Sequence, residues 1–438
     1  MGGGIMQMIV TGKKNKYITG NPETTHFKAI YFRHTNFAME SVPCIFNNKV
    51  SNNSDSKVKS TIQRSGDLVS GAHIEFELKR TPIQDEEYNG TYINWTNATG
   101  YAAIKEVSFE IGSQVIDTHY GEWFDVWNEL TDANNSEDMM INKHTAKNIY
   151  LKSNPLNKNE HSIKCYVPLK FWFCKEYGLA FPLIALQNNK AYINVTFRNP
   201  YTLINTDNKF SNGIGQITYT QGPDLYIDYI YLDEKERRSF STKDHQYLID
   251  TLEYNGAVNL STSHEINFNN PIKELIWVIR NKNVSNELDL SISNAENADA
   301  YSNTIIALDN SNDYFNYTSI QNNSQKEYLY GNEIYEPFSK AELFINGNSR
   351  FNKRNSTYFR TIQPLNHHSK IPSKHIYSYS FSLSPEKHQP SGICNFSELK
   401  TVKLKLYNAN EINTEILIFG LNYNLLRFKN GMAGLAYH

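Results

Sequence analysis

Cysteine is scarce in this chain: four in 438 residues, at Cys44, Cys165, Cys174 and Cys394, with no Cys-x-x-Cys spacing. That excludes a disulfide-stapled scaffold and offers no ligand pairs for a structural zinc; it suits free, mostly buried thiols in a reducing compartment. An excess of one charge is also missing. Lys and Arg number 43 against 45 Asp and Glu, a formal net charge of −2, whereas a dedicated nucleic-acid binder needs a basic stripe to displace counterions. The basic cluster at Glu234-Lys235-Glu236-Arg237-Arg238 is interrupted by acids and reads as a solvated linker face. The longest apolar stretch, Tyr177–Leu186, is too short to span a bilayer and contains Pro182. The opening MGGGIMQMIV has no basic region ahead of its apolar part, and Met6 stands where a myristoylation motif wants Ser or Thr. The expectation is a soluble protein made in the cytosol.

Signatures of catalysis are missing too. There are 13 histidines but no His-x-His pair, and the adjacent His367 and His368 would point to opposite faces of a strand. The chain has no His-Glu-x-x-His, no Gly-x-Ser-x-Gly and no Walker lysine. Gly213-Ile214-Gly215 is a lone Gly-x-Gly in an Asn/Gly loop, not a strand-to-helix turn that cradles phosphate. His34 beside Arg33 and Glu40 reads as a polar set at the base of a strand. The expectation is therefore no catalytic residue, no cofactor-binding residue and no metal ligand. Sequons such as Asn94-Trp95-Thr96 and Asn97-Ala98-Thr99 arise by chance among 54 asparagines, and residues 89–99 read as an exposed loop.

What the sequence does have is alternation. Ile74, Phe76 and Leu78 share one face; so do Ile193, Val195 and Phe197, then Leu225, Ile227, Tyr229 and Tyr231, then Val402, Leu404 and Leu406. Glu415–Phe428 is apolar on both faces, as in a strand buried between layers. Asn-, Gly- and Ser-rich stretches separate these runs. Helical spacing is confined to Tyr120–Asp132, where Trp123, Phe124, Trp127 and Leu130 form a stripe, and to a short helix expected near residues 233–250. Phe171-Trp172-Phe173 could be a stacking platform for sugars or bases, but reads better as core filling or burial against a neighbouring subunit. Ile104–Asp117 and Ser339–Phe351 repeat one design, strand, tight turn, strand, with Gly112 and Gly347 at the turns. This echo fits two copies of one β domain, about 25–233 and 243 to the end.

Ordered blocks carry a resemblance over nearly the whole chain. YITGNPETTHFKAIYFRHTNFAMES (Tyr17–Ser41), TIQRSGDLVS (Thr61–Ser70), FEIGSQVIDTHYGEWF (Phe109–Phe124), YVPLKFWFCKEYGLAFPLIALQ (Tyr166–Gln187) and IDYIYLDEKERRSF (Ile227–Phe240) resemble successive blocks of the major capsid proteins of nucleocytoplasmic large DNA viruses. AELFINGNSRF (Ala341–Phe351), YSYSFSLSPEKHQPSGICNFS (Tyr377–Ser397) and NYNLLRFKNGMAGLAY (Asn422–Tyr437) continue it. The loops depart from the pattern, chiefly at 51–59, 89–99 and 281–332.

The resemblance implies an all-β fold of two consecutive eight-stranded jelly-roll β-sandwiches with a few short helices. It divides the chain into an arm (1–24), a first jelly roll (25–233), a linker (234–242) and a second jelly roll (243–438). It implies a shell protein without enzyme activity: a homotrimeric capsomer, pseudo-hexagonal, tiling an icosahedral virion assembled in host cytoplasm. Its expected partners are further copies of itself, with minor capsid proteins and an internal membrane reached through the arm, and no direct nucleic acid. On this reading Phe27, Ile30 and Phe32 begin the first buried strand, and 281–332 and 89–99 form outward towers. The alternative function class is a carbohydrate-binding sandwich, which needs solvent-facing aromatics in a concave site; a cupin-like metalloenzyme lacks the ligand spacing.

Overall fold

The computed structural model describes residues 2–82, 93–143, 161–206, 215–282, 314–317, 336–409 and 414–437. It divides into two compact units, Met1–Phe37 and Ala38–His438. In the first, two short helices, Gly3–Ile9 and Asn15–Thr19, precede a turn at Asn21, whose φ of 51° suits asparagine. Phe27, Ile30 and Phe32 do not begin a buried strand. They are 99%, 59% and 91% exposed, and the first strand starts at Phe37. Their spacing signals apolar character, but within this unit there is no sheet for them to pack against.

Among the described residues, sixteen strands build the sandwiches. The first holds β1 (Phe37–Cys44), β2 (Ser56–Thr61), β3 (Leu68–Thr81), β4 (Ile104–Ile111), β5 (Gln114–Tyr120), β6 (His161–Pro168), β7 (Ala191–Phe197) and β8 (Gln216–Leu232). The second holds β9 (His245–Tyr254), β10 (Ser263–Glu265), β11 (Pro271–Asn281), β12 (Lys340–Ile345), β13 (Asn348–Ser349), β14 (Ile376–Ser380), β15 (Val402–Tyr407) and β16 (Thr414–Lys429). The first sandwich has sheet orders β1-β8-β3-β6 and β2-β7-β4-β5; the second has β9-β16-β11-β14 and β10-β15-β12-β13, with short added pieces at their edges. Adding eight to each label turns the first pair of orders into the second. This repeated pairing is the double jelly roll. The linking segment is the helix Glu234–Thr242, capped by Asp233, whose carboxylate accepts from the Glu236 N–H at 2.9 Å.

The sequence echo falls on equivalent hairpins, β4–β5 and β12–β13, with φ of +63° at Gly112 and +82° at Gly347. Both lie in the left-handed region that a Cβ disfavours. The polar filler of 51–59 is strand from Ser56 onward, because Val58 and Ser60 turn inward. The stretch 89–99 is not an exposed loop where it is described: Trp95–Gly100 is buried, and Asn97, part of a sequon, is 5% exposed. The tower region 281–332 lies mostly outside the described residues, but Tyr314–Tyr317 returns to the core, with Tyr314, Phe315 and Tyr317 buried.

Candidate assembly surfaces

The sheet β9-β16-β11-β14 is covered on both faces. Leu275, Trp277, Ile279 and Ile416 face the core of the second sandwich, while Ile276, Val278, Leu417, Phe419 and Leu421 join the core cluster of the first. This is why Glu415–Phe428 is apolar on both sides: one face fills a sandwich and the other joins two. The helix Gly121–Thr131 packs against that outer face, with Trp123 centred 5.5 Å from Phe419. Tyr120 meets Tyr254 at 4.8 Å, and the Asp117 carboxylate accepts from the Leu252 N–H at 3.0 Å.

Charge is also buried in this joint. Glu122 Oε1 accepts from Arg198 Nη2 at 2.9 Å and from Arg280 Nη1 at 3.2 Å. Arg280 Nε donates to Glu415 at 2.7 Å, and its Nη1 to the Tyr314 carbonyl at 3.1 Å. Burial alone would raise the Glu122 carboxyl, but Arg198 and Arg280 hold it below the usual carboxylate range. Further along the helix, Lys374 Nζ donates to both Asp125 oxygens at 2.8 and 2.7 Å, and Ser373 Oγ donates to Glu129 at 2.8 Å. Burial dominates at Asp125, whose carboxyl is raised; at Glu129 burial is overcome by Lys374 and Lys143, which pull it down to about 2. Lys175, from the first sandwich, and Lys273, from the second, share Asp250 at 2.6 and 2.9 Å. Burial and the neighbouring Lys175 bring Lys273 down to about 8.

Sequence reasoning missed these residues. A signal was present: Glu122, Asp125 and Glu129 recur at i, i+3 and i+7 on a helix whose neighbours are Trp and Phe. Acids on an apolar face need cations from elsewhere.

The aromatic run lies in the core, not on a sugar-binding surface. Phe109 is ringed by Phe171, Trp172, Phe173 and Phe181 at 5.2–5.8 Å. All four cysteines are free, Cys44 and Cys165 fully buried. Arg33, His34 and Glu40 serve no joint chemistry: His34 Nδ1 bonds its neighbour's carbonyl on Thr35 at 2.8 Å, and Glu40 accepts from Tyr231 at 3.0 Å. Among the described residues, no cluster of His, Cys, Asp or Glu has metal-holding geometry, and no helix is long and apolar enough to cross a membrane.

Among the described residues, several surfaces stay open, two of them in the N-terminal half. Met1–Phe37 exposes Met8, Tyr17, Ile18, Phe27, Tyr31 and Phe32. The outer face of β1-β8-β3-β6 is half-exposed and acidic on balance, carrying Glu75, Glu77, Asp224 and Asp228 against Lys79 and Lys164.

Comparison with known proteins matches these features to a family. Residues 25–233 match the family described as major capsid protein N-terminus, and 236–434 match the large eukaryotic DNA virus major capsid protein. The chain is 33% identical to the major capsid protein of Pyramimonas orientalis virus and 31% identical to that of Paramecium bursaria Chlorella virus 1, over the whole of both partners in each case. The crystal structure of PBCV-1 VP54 superposes with a TM-score of 0.72 at 28% identity, covering 94% of this chain and all of that one. The Faustovirus major capsid protein shares the fold at 12% identity, with a TM-score of 0.70 and coverage of 96% and 94%. With two sandwiches of one strand order, buried charge that serves a joint rather than a reaction, and full-length identity to these proteins, the chain belongs to the major capsid proteins of large eukaryotic DNA viruses.

Proposed function

We infer that this capsid protein works as a homotrimer, three chains closing head to tail into a pseudo-hexagonal block that tiles an icosahedral shell. The observation that carries the reading is the repeated strand order. Three chains with two alike sandwiches each place six similar wedges around a threefold axis, and heterologous contacts of that kind close into a ring. Residues 25–233 and 243–438 are taken as the wedges, 234–242 as the linker and the N-terminal residues as an arm. The arm sits at the base of the block, toward the particle interior. There it meets minor capsid proteins and an internal membrane rather than nucleic acid, and particles are built in host cytoplasm. Its exposed apolar side chains support a contact role.

Mass measurement and negative-stain imaging of the purified protein test the reading. The expected result is a three-chain particle of hexagonal outline. A stable single chain at micromolar concentration would overturn it.

A further inference from the structure

The joint inside one chain is a template for the joint between chains. Within the chain, the first sandwich presents β5, the helix Gly121–Thr131 and the loop after β6 to the β9-β16-β11 face of the second. Adding eight to each label locates the matching surfaces that the chain itself leaves open. One is β13 with the segment Arg350–His367 and the loop after β14. The other is the β1-β8-β3 face of the first sandwich.

Both open surfaces look like halves of a contact. On the first, Ile362, Leu365 and Leu383 are 43%, 61% and 75% exposed. On the second, Tyr166 and Tyr226 are half-exposed, and Met39 on the edge strand β1 is 44% exposed. The charges are complementary. Residues 350–367 contain Arg350, Lys353, Arg354 and Arg360 and no Asp or Glu; Arg360 is taken up by Glu336 at 2.8 Å, which leaves the other three for a partner. The opposing face carries Glu75, Glu77, Asp224 and Asp228 against Lys79 and Lys164, so it is acidic on balance, and the ladder sets Asp224 directly across from Glu75, which Lys164 pairs at 3.3 Å. Like charges placed opposite one another on a sheet are destabilising; Lys164 reaches Glu75 from the neighbouring strand, and a cation arriving from outside adds relief at Asp224.

The polarity is inverted relative to the joint within the chain. There Glu122 and Asp125 of the first sandwich meet Arg280 and Lys374 of the second, while Lys175 of the first also reaches Asp250 of the second. Pairing first with first would set acid on acid; pairing second with second would set the basic segment near Arg280 and Lys273. The alternating order brings opposite charges together in both kinds of joint.

We propose that the basic segment Arg350–His367 of one copy docks on the acidic β3–β8 face of the next, repeating between chains the joint that links the sandwiches within each chain. This rests on the trimer reading and goes beyond it by naming the two faces and the charge code that orders them. The polar character of the outer face keeps the free chain soluble, whereas the apolar joint inside the chain is formed once, on folding.

A charge swap tests it on the full chain by mass photometry, with circular dichroism as a check on folding. Glu75→Lys with Asp224→Lys, or Arg350→Glu with Arg354→Glu, should reduce the three-chain species to single chains while the spectrum is kept. All four substitutions in one chain should restore the three-chain mass, since each joint then has its signs reversed together. If wild type is itself a single chain, the trimer reading fails. If wild type is three-chain and either charge-reversed variant stays so, or the fourfold variant is not rescued, the assignment of faces is wrong while the trimer stands.

Discussion

His368 is held as an imidazolium. Its side chain is fully buried, with Nε2 donating to Glu274 at 2.7 Å and Nδ1 to Glu386 at 3.0 Å. Burial opposes the charge, but the two carboxylates win and raise the group to about 9. A folded pKa above the ordinary 6.5 gives stability that is complete below pH 6.5 and is lost as pH rises through 9, on the order of 3 kcal/mol. His375 has the opposite sign. Burial, with Arg360 adding to it against Glu336, keeps it neutral down to about 4, so its contribution is lost as pH falls from 6.5 toward 4. The joint contribution of these two groups is greatest near pH 6.5. Thermal melts from pH 4 to 9 should show both limbs; His368→Gln should flatten the alkaline one and His375→Gln the acid one. Unchanged slopes in both variants would refute the assignment. Phe109→Ala should cost about 3–5 kcal/mol, because four surrounding aromatics cannot collapse into the space; denaturant titration checks it.

At the scale of elements, the joint between sandwiches rests on pairs that cannot lose one member cheaply. Arg280→Met leaves Glu415 without its cation and Glu122 with Arg198 alone, and breaking a buried pair in this way costs roughly 3–5 kcal/mol. Adding Glu415→Gln to Arg280→Met should recover part of that loss in denaturant titration; strict additivity of the two would show that they do not interact. The two turn glycines separate in the same assay. A Cβ at Gly112 meets the Asn189 amide at 3.2 Å, whereas one at Gly347 meets open space, so both substitutions carry the cost of positive φ but Gly112→Val carries crowding as well. Gly112→Val should therefore be the more damaging to folding and, through β5, to trimer formation. Much of this level was legible from sequence. Alternation gave the strands, the tryptophan stripe gave the helix, and the two glycines pointed to hairpins that prove equivalent in topology. The two-faced apolar strand β16 was legible as buried, though not what lay on each side. The joint was not legible, because Glu122 and Arg280 are 158 residues apart and no local pattern relates them. The start of the first strand was not legible, because Phe27, Ile30 and Phe32 report apolar character without saying which surface covers it.

For the whole molecule, the arm is the element the chain cannot stabilise by itself. Its helices are 7 and 5 residues long, with no buried residue in either, while isolated helices below about 12–15 residues are marginal in water. It exposes Tyr17, Phe27 and Phe32 at more than 90%. Up to Phe37 it carries five Lys or Arg (Lys13, Lys14, Lys16, Lys28, Arg33) against one acid, Glu23, so it is basic where the chain as a whole is slightly acidic. Apolar area combined with positive charge suits an acidic protein surface or anionic headgroups, and ordering on contact is the expected behaviour of such a segment. The trimer contacts proposed here lie on β3, β8 and Arg350–His367, so they do not need the arm. Deleting residues 2–19 should leave a soluble three-chain particle of unchanged melting temperature that no longer closes into shells when co-expressed with the other virion proteins. Mass photometry reads the first outcome and negative-stain imaging the second. Normal shells from the truncated chain would overturn the role of the arm; loss of the trimer would move the arm from shell building to subunit closure.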